Sequence, residues 1–179
     1  MLASSPNVLE IRADPARPDS GWLASGFRIF PCRLGRGGVT GAKIEGDGKT
    51  PAGIFPLRRA FYRADRVALI ETRLPLAVIE PDDLWCDDPS HPHYNRLVRR
   101  PFDGRTEALW RDDGAYDVVV VLGHNDDPPI PGMGSAIFIH LAHADDRPTA
   151  GCIALMRAHL LELLCTTGPG DVAIVQAPT

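Results

Sequence analysis

The stretch "IHLAHADDRPTAGCIAL", residues 139–155, sets an apolar run ending at His140-Leu141 against a second run that opens on Gly151-Cys152. Side chains alternate faces along a strand. Phe138 and His140 therefore share one side of the first run, while Ile137, Ile139 and Leu141 take the other. In the second run Cys152 stands opposite Gly151, Ile153 and Leu155. The polar connection between the runs predicts a hairpin that brings His140 and Cys152 together near its open end. Two readings follow. Cys152 is a packed thiol beside a satisfied core histidine, or it is a nucleophile with its base at hand, because the thiolate is the reactive form and an imidazole generates it. Spacing alone leaves both open.

Outward from this pair the chain reads as mainly β with small α additions. Seventeen Gly and seventeen Pro in 179 residues punctuate it about every ten residues, which favours short strands over a helical bundle. "VLEIR" (8–12) is a strand, and "GWLAS" (21–25) and "FRIFPCRLG" (27–35) form a hairpin through Gly26. "IFPLRRAFYR" (54–63), "LAVIE" (76–80) and "YNRLVRR" (94–100) follow, the last two separated by a polar loop, "PDDLWCDDPSHPH". "RTEALWRDDG" (105–114) is at best a short amphipathic helix. "YDVVVVLGHN" (116–125) and "GSAIFIHLAH" (134–143) are the strongest strand signals, being β-branched and apolar. Met156, Leu160, Leu163 and Leu164 have helical spacing, with Cys165 inside that helix as core, and "DVAIVQA" (171–177) closes as a strand. One helix and nine strands are expected, in a single domain over residues 1–179.

Composition excludes several functions. The net charge of −4 and scattered basic residues offer no footprint for nucleic acid. No apolar run approaches the ~18–20 residues of a membrane span. "MLASSPNVLEIRADPARPDSG" has neither a basic n-region nor an apolar h-region, so it does not read as a signal peptide. The four cysteines form no CxxC pair, and four reduced thiols are expected, Cys32 and Cys86 packed. "GRGGVTGAKIEGDG" (35–48) shares only its glycine content with phosphate-cradling loops. "WCDDPSHPHYNR" (85–96) is rich in potential ligands, but its spacing fits no zinc pattern. No metal and no cofactor are expected, and the segment reads as a loop at a cleft mouth with Tyr94 and Asn95 as substrate contacts, or as a structural loop with Trp85 packed inward. His124 and Asn125 end the valine strand, either at a polar rim near substrate or as strand caps.

"PTAGCIAL" after "IFIH" resembles the signature of the L,D-transpeptidase catalytic (YkuD) domain, a histidine followed by a Ser/Thr-x-Gly-Cys block and an aliphatic residue. His140, Thr149, Gly151, Cys152 and Ile153 carry it. "GDGKTPAGIFPL" (46–57) resembles the family's Lys-Thr-Pro-x-Gly-x-Phe motif through Lys49, Thr50, Pro51, Gly53 and Phe55. The helix, the glycine turn and "GPGDVAIV" match the family's closing elements, so the motifs span residues 46–175 in order.

The resemblance implies an L,D-transpeptidase-like β-sandwich, acting as a monomer on peptidoglycan stem peptides. Cys152 would be the nucleophile and His140 the base, with the Leu141 carbonyl orienting the imidazole. Asp145 and Asp146 are the side-chain alternatives for that orienting role. The N–H groups of Gly151 and Cys152 would form the oxyanion hole, and the Thr149 hydroxyl would hold the turn. Two departures stand out: Ala150 replaces a second histidine, and Ala154 an arginine, that many members carry. His124, His143 or Arg157 could compensate for them. Alternatives with the same site are an L,D-carboxypeptidase or amidase-like hydrolase of muropeptides. A more distant one is a non-catalytic wall-binding module with an inert Cys152. The family implies a periplasmic or cell-wall location, whereas the missing export signal reads as cytoplasmic.

Overall fold

A computed structural model describes residues 6–68 and 70–177. Residues 1–5, part of the stretch read above for an export signal, lie outside the described residues. In chain order the elements are β1 (Val8–Asp14), β2 (Arg17–Ser25), β3 (Arg28–Arg33), β4 (Val39–Thr40), β5 (Thr50–Pro51), β6 (Gly53–Tyr62) and β7 (Leu76–Val78). Then come β8 (Asp83–Cys86), β9 (Leu97–Arg99), β10 (Thr106–Ala108), β11 (Val118–Leu122), β12 (Phe138–Leu141), β13 (Ile153–Leu155), α1 (Arg157–Leu164) and β14 (Val172–Val175). The fold is mainly β with one helix among the described residues, as the Gly/Pro punctuation predicts. Among the described residues the strands number fourteen rather than nine, because several pairings are only two or three residues long.

Nine strands form one sheet in the order β11-β12-β13-β3-β2-β1-β14-β6-β7, and β6 also pairs with β11. That extra pairing closes eight of the strands into a ring. Alternation then sorts every side chain. Leu9, Ile11, Leu23, Phe30, Val118, Val120, Ile139, Ile153 and Leu155 point into the ring and form its core, with Leu160, Leu163 and Leu164 of α1 packed in. Val119, Val121, Phe138 and Cys152 point outward and are covered by Trp85, Leu109, Ala115 and Tyr116. The cover includes a second sheet, ordered β10-β8-β9. Both faces of β11 are thus buried, which is why its valines run without polar alternation.

Four expectations are corrected. The β12–β13 pair is not a hairpin: its strands are parallel, with Ile139 opposite Ile153 and His140 opposite Ala154. The connection between them instead crosses to Gly35, which bridges Thr149. The segment 81–93 holds β8, whose four residues are all buried, and 105–114 contains strand β10 rather than a helix. Cys165 is an exposed C-cap, not a core residue, since α1 stops one residue before it.

Asn95 fastens the second sheet to the end of the ring. It is buried, its φ is 58°, and its side chain is fully engaged. Oδ1 accepts from Trp85 Nε1 (2.9 Å) and Ala136 N (3.1 Å), while Nδ2 donates to His124 O (3.0 Å) and Asn125 O (2.7 Å). A truncation leaves two buried donors unpaired, each costing about 1–3 kcal/mol. Asn95→Ala should therefore lose about 3 kcal/mol, lowering the melting temperature by roughly 6–12 °C in a chain of this size; calorimetry checks this.

Candidate active site

Cys152 ends the crossing segment one residue before β13, level with Phe138 on the outward face of the ring. Its Sγ donates to Ala136 O (3.1 Å) and accepts from Phe138 N–H (3.4 Å). The turn before it is closed by Thr149, whose Oγ1 donates to Cys152 O (2.6 Å) and accepts from Gly151 N–H (3.1 Å). Thr149 thus works through the backbone. Gly151 has φ 143°, and a Cβ there would lie 2.9 Å from Lys49 O. No other residue fits without moving backbone. The Gly151 N–H, expected at an oxyanion position, is bonded to Thr149 in this structure rather than left open toward the cleft. The N–H of Cys152 has no acceptor among the described hydrogen bonds.

His140 is buried on the same face, one pair further along the ladder. Its Nδ1 lies 2.8 Å from Leu141 O. A carbonyl only accepts, so Nδ1 carries the proton and Nε2 holds the free lone pair. Nε2 has no partner among the described residues, and His140 lines a cleft of about 770 Å³ together with Cys152. The Tyr116 ring packs edge-on against the imidazole at 5.2 Å. Neither loop acid orients it: Asp146 pairs with Arg33 and Asp145 with Arg147.

The remaining sequence candidates lie elsewhere. His124 bonds Met133 O through Nε2 (3.0 Å) and packs on Phe55. Asn125 clamps the following loop through Ile130 and Gly134. Asn95 is saturated as described, and Arg157 pairs with Asp117 (2.9 Å). None of these four lines the Cys152 cleft, because each side chain is committed to holding backbone or a neighbouring acid. Tyr94 is buried and reaches the cleft only through its hydroxyl bond to Glu45. His143, by contrast, does line it. In "WCDDPSHPHYNR", His91 stacks on His93 and Phe102. No cluster of three or more His, Cys, Asp or Glu suited to a metal forms among the described residues.

The sequence reading missed the charged wall. Arg36, Lys43, Glu45, Glu107, Arg111 and Arg147 all line the cleft. Tyr116 donates to Glu107 Oε1 (2.7 Å), and Arg111 sits 3.4 Å from the same oxygen. The i,i+4 spacing of Glu107 and Arg111 was a visible signal for that pair. Burial sets the protonation states. It pushes the Cys152 thiol up to about 12, with the nearby Glu107 charge adding to the effect and Lys43 and Tyr116 opposing it. Burial also pulls His140 down to about 4. The resting pair is therefore neutral thiol and neutral imidazole, not an ion pair.

Cys152 and His140 are thus buried together on one face of a closed β-sheet, with the histidine tautomer fixed by its own strand. The model of the L,D-transpeptidase catalytic domain matches residues 21–175, and the chain belongs to that family, which acts on peptidoglycan. Similar solved structures include L,D-transpeptidase 3 from Mycobacterium tuberculosis (15% identity, TM-score 0.43, covering 96% of this chain and 62% of that one). An L,D-transpeptidase from Mycobacterium smegmatis is comparable (15% identity, TM-score 0.42, 96% and 59%). So is L,D-transpeptidase 1 from Mycobacterium tuberculosis (14% identity, TM-score 0.40, 94% and 62%). The chain spans about three-fifths of the length of these structures. No curated protein matches it in sequence. No helix among the described residues is long and apolar enough to cross a membrane.

Two outcomes are expected from the electrostatics. A negative neighbour disfavours the thiolate, so Glu107→Gln should speed alkylation of Cys152 by neutral iodoacetamide at pH 8 severalfold, read by peptide mass spectrometry. His140 is held neutral well below the 6.5 of an unfolded histidine, so the unfolded chain binds the extra proton first. Its contribution to stability is full above pH 6.5 and is lost progressively between about 6.5 and 4. Melting temperature should fall across that window, and fall less in His140→Gln.

Proposed function

We propose that this chain is a single catalytic domain that works as a cysteine-dependent L,D-transpeptidase on peptidoglycan stem peptides. The observation that carries the reading is the shared cleft: Cys152 and His140 open into it from neighbouring parallel strands, and the fixed tautomer turns a basic Nε2 toward it. Family membership supplies the substrate class.

In the first half-reaction Sγ of Cys152 turns from Ala136 O toward the cleft and attacks the carbonyl carbon between the third stem residue and the terminal D-alanine. Nε2 of His140 takes the thiol proton as the S–C bond forms, so no free thiolate accumulates from a group titrating this high. The Cys152 N–H faces the resulting oxyanion. Collapse breaks the C–N bond, His140 returns the proton to the departing amine, and a thioester remains. In the second half-reaction His140 deprotonates an acceptor amine. That amine attacks the thioester, and the thiol is regenerated with a new amide bond. The positive charge that builds on His140 is stabilised by the Leu141 carbonyl at Nδ1.

Mass spectrometry of a disaccharide-tetrapeptide incubated with the protein and an added D-amino acid tests this. Wild type should exchange the terminal D-alanine or form a cross-linked dimer, and Cys152→Ala should do neither. Tripeptide as the sole product would instead place the chain with the L,D-carboxypeptidase-like hydrolases. His140→Ala should be less stable than wild type, because it empties a buried site, yet still fold by circular dichroism and lose about 10²–10⁴ in kcat. A loss below tenfold would move the base to His143, the other histidine in the cleft.

A further inference from the structure

The oxyanion position has one N–H where two donors are usual, because Gly151 N–H is held by Thr149. A cation lies against that gap. Lys43 is 6% exposed and lines the Cys152 cleft. Two glycines make room for it: a Cβ on Gly134 would come within 2.7 Å of Lys43 Cγ and 3.0 Å of Cε. A Cβ on Gly151 would stand 3.5 Å from Nζ, which places the ammonium beside the residue preceding the thiol. An ammonium presents three donors. Among the described residues only Asp47 takes one of them, and Asp47 is itself held by the N–H groups of Ile44 (3.0 Å) and Lys49 (2.8 Å). The other cations on this wall are differently placed. Arg36 is exposed and lays its guanidinium against Gly48, and Arg111 and Arg147 are committed to Asp113 and Asp145 and are far more exposed than Lys43.

We propose that Lys43 is a catalytic residue of this site: its Nζ is the second donor to the oxyanion and the positive charge that stabilises negative charge developing at Cys152. The idea rests on the acyl-transfer reading above, but its first test does not. Burying an ammonium is costly unless a compensating charge or hydrogen bond is present. One carboxylate offsets that cost in the resting state, and the oxyanion completes the shell in the transition state. The groups facing the thiol are Glu107 on β10, Tyr116 ahead of β11, His140 on β12 and Lys43. Glu107 opposes the thiolate, while Lys43 and Tyr116 favour it.

Three variants separate this role from a merely structural one. At pH 8, with neutral iodoacetamide and peptide mapping to exclude exposed Cys165, Lys43→Met should be alkylated at Cys152 about tenfold more slowly than wild type. Asp47→Asn, which leaves the ammonium uncompensated, should be alkylated faster. Lys43→Arg should stay within about twofold. On a tetrapeptide substrate Lys43→Met should lose about 10²-fold in kcat with KM changed less than threefold. An unchanged alkylation rate in both Lys43→Met and Asp47→Asn overturns the proposal. So does a rise in KM at constant kcat, which would make Lys43 an anchor for a substrate carboxylate. Should Lys43→Met fail to fold, the rise in Asp47→Asn decides, because a purely structural ion pair predicts no acceleration. If wild type releases no D-alanine, the transpeptidase reading fails while the alkylation series still judges the link between Lys43 and Cys152.

Discussion

The site depends on the β12–β13 ladder being parallel. A hairpin would have allowed a short turn and set the two runs tip to tip. The parallel pairing forces residues 142–152 to leave the sheet and return, and on the way they bridge Gly35 and lay Thr149 against β3's continuation. That detour fixes the backbone at Gly151 and Cys152 before either side chain is considered. Thr149 Oγ1 then locks the turn with two hydrogen bonds, and the thiol emerges on the outward face of the ring, under the second sheet. A nucleophile placed there is dry on most sides and open on one.

Dryness decides the chemistry. In water a cysteine and a histidine side by side could share a proton either way. Here burial penalises both charged forms, and the neutral pair is the resting state. Whether the thiol ionises therefore depends on the charges in the walls around it, Glu107 against and Lys43 in favour. Glu107 and Lys43 have opposite effects on the thiol. Tyr116 links the first of them to the site, its hydroxyl donating to Glu107 while its ring supports His140. Opposite charges thus act on the thiol from two sides, and burial raises the Glu107 carboxyl's own pKa.

Alternation made the sidedness of the site legible from sequence: Phe138 and Cys152 fall on one face, Ile139 and Ile153 on the other. The longer strands and the terminal helix were legible for a similar reason, since strong periodic runs carry their own signal. What failed was everything that depends on a partner distant in the chain. Parallel or antiparallel pairing is invisible in two short apolar runs, so β12–β13 was misassigned. β8 looked like loop because its Asp83 is buried by pairing with Arg99 and its Trp85 by Asn95. Glu107 and Arg111 sit four apart, which suggests a helix, yet Glu107 lies on a strand and its shorter bond comes from Tyr116. Asn95 and Asn125 looked like polar rim residues, because nothing local shows that their amides are saturated by backbone.

The two departures from the family pattern become intelligible once the faces are known. Ala154 lies opposite His140, but it is buried and lines a second cavity with Pro31, Trp22 and Met156 rather than the Cys152 cleft. Ala154 shares the outward face with His140 and Cys152 but sits beside Arg33 of β3, outside the lining of the Cys152 cleft. Ala150, by contrast, is exposed and lines the cleft, so a polar side chain there would have faced the peptide. The cleft's cations come from other elements: Arg36 and Lys43 from the glycine-rich segment, Arg111 from the loop after β10, and Arg147 from the crossing segment. Cationic character at the cleft is thus carried by segments whose own pairing needs are met by Thr149, Asp47 and Asp113. Those partners bind each segment to the ring, and the charge is held in place without the motif supplying it.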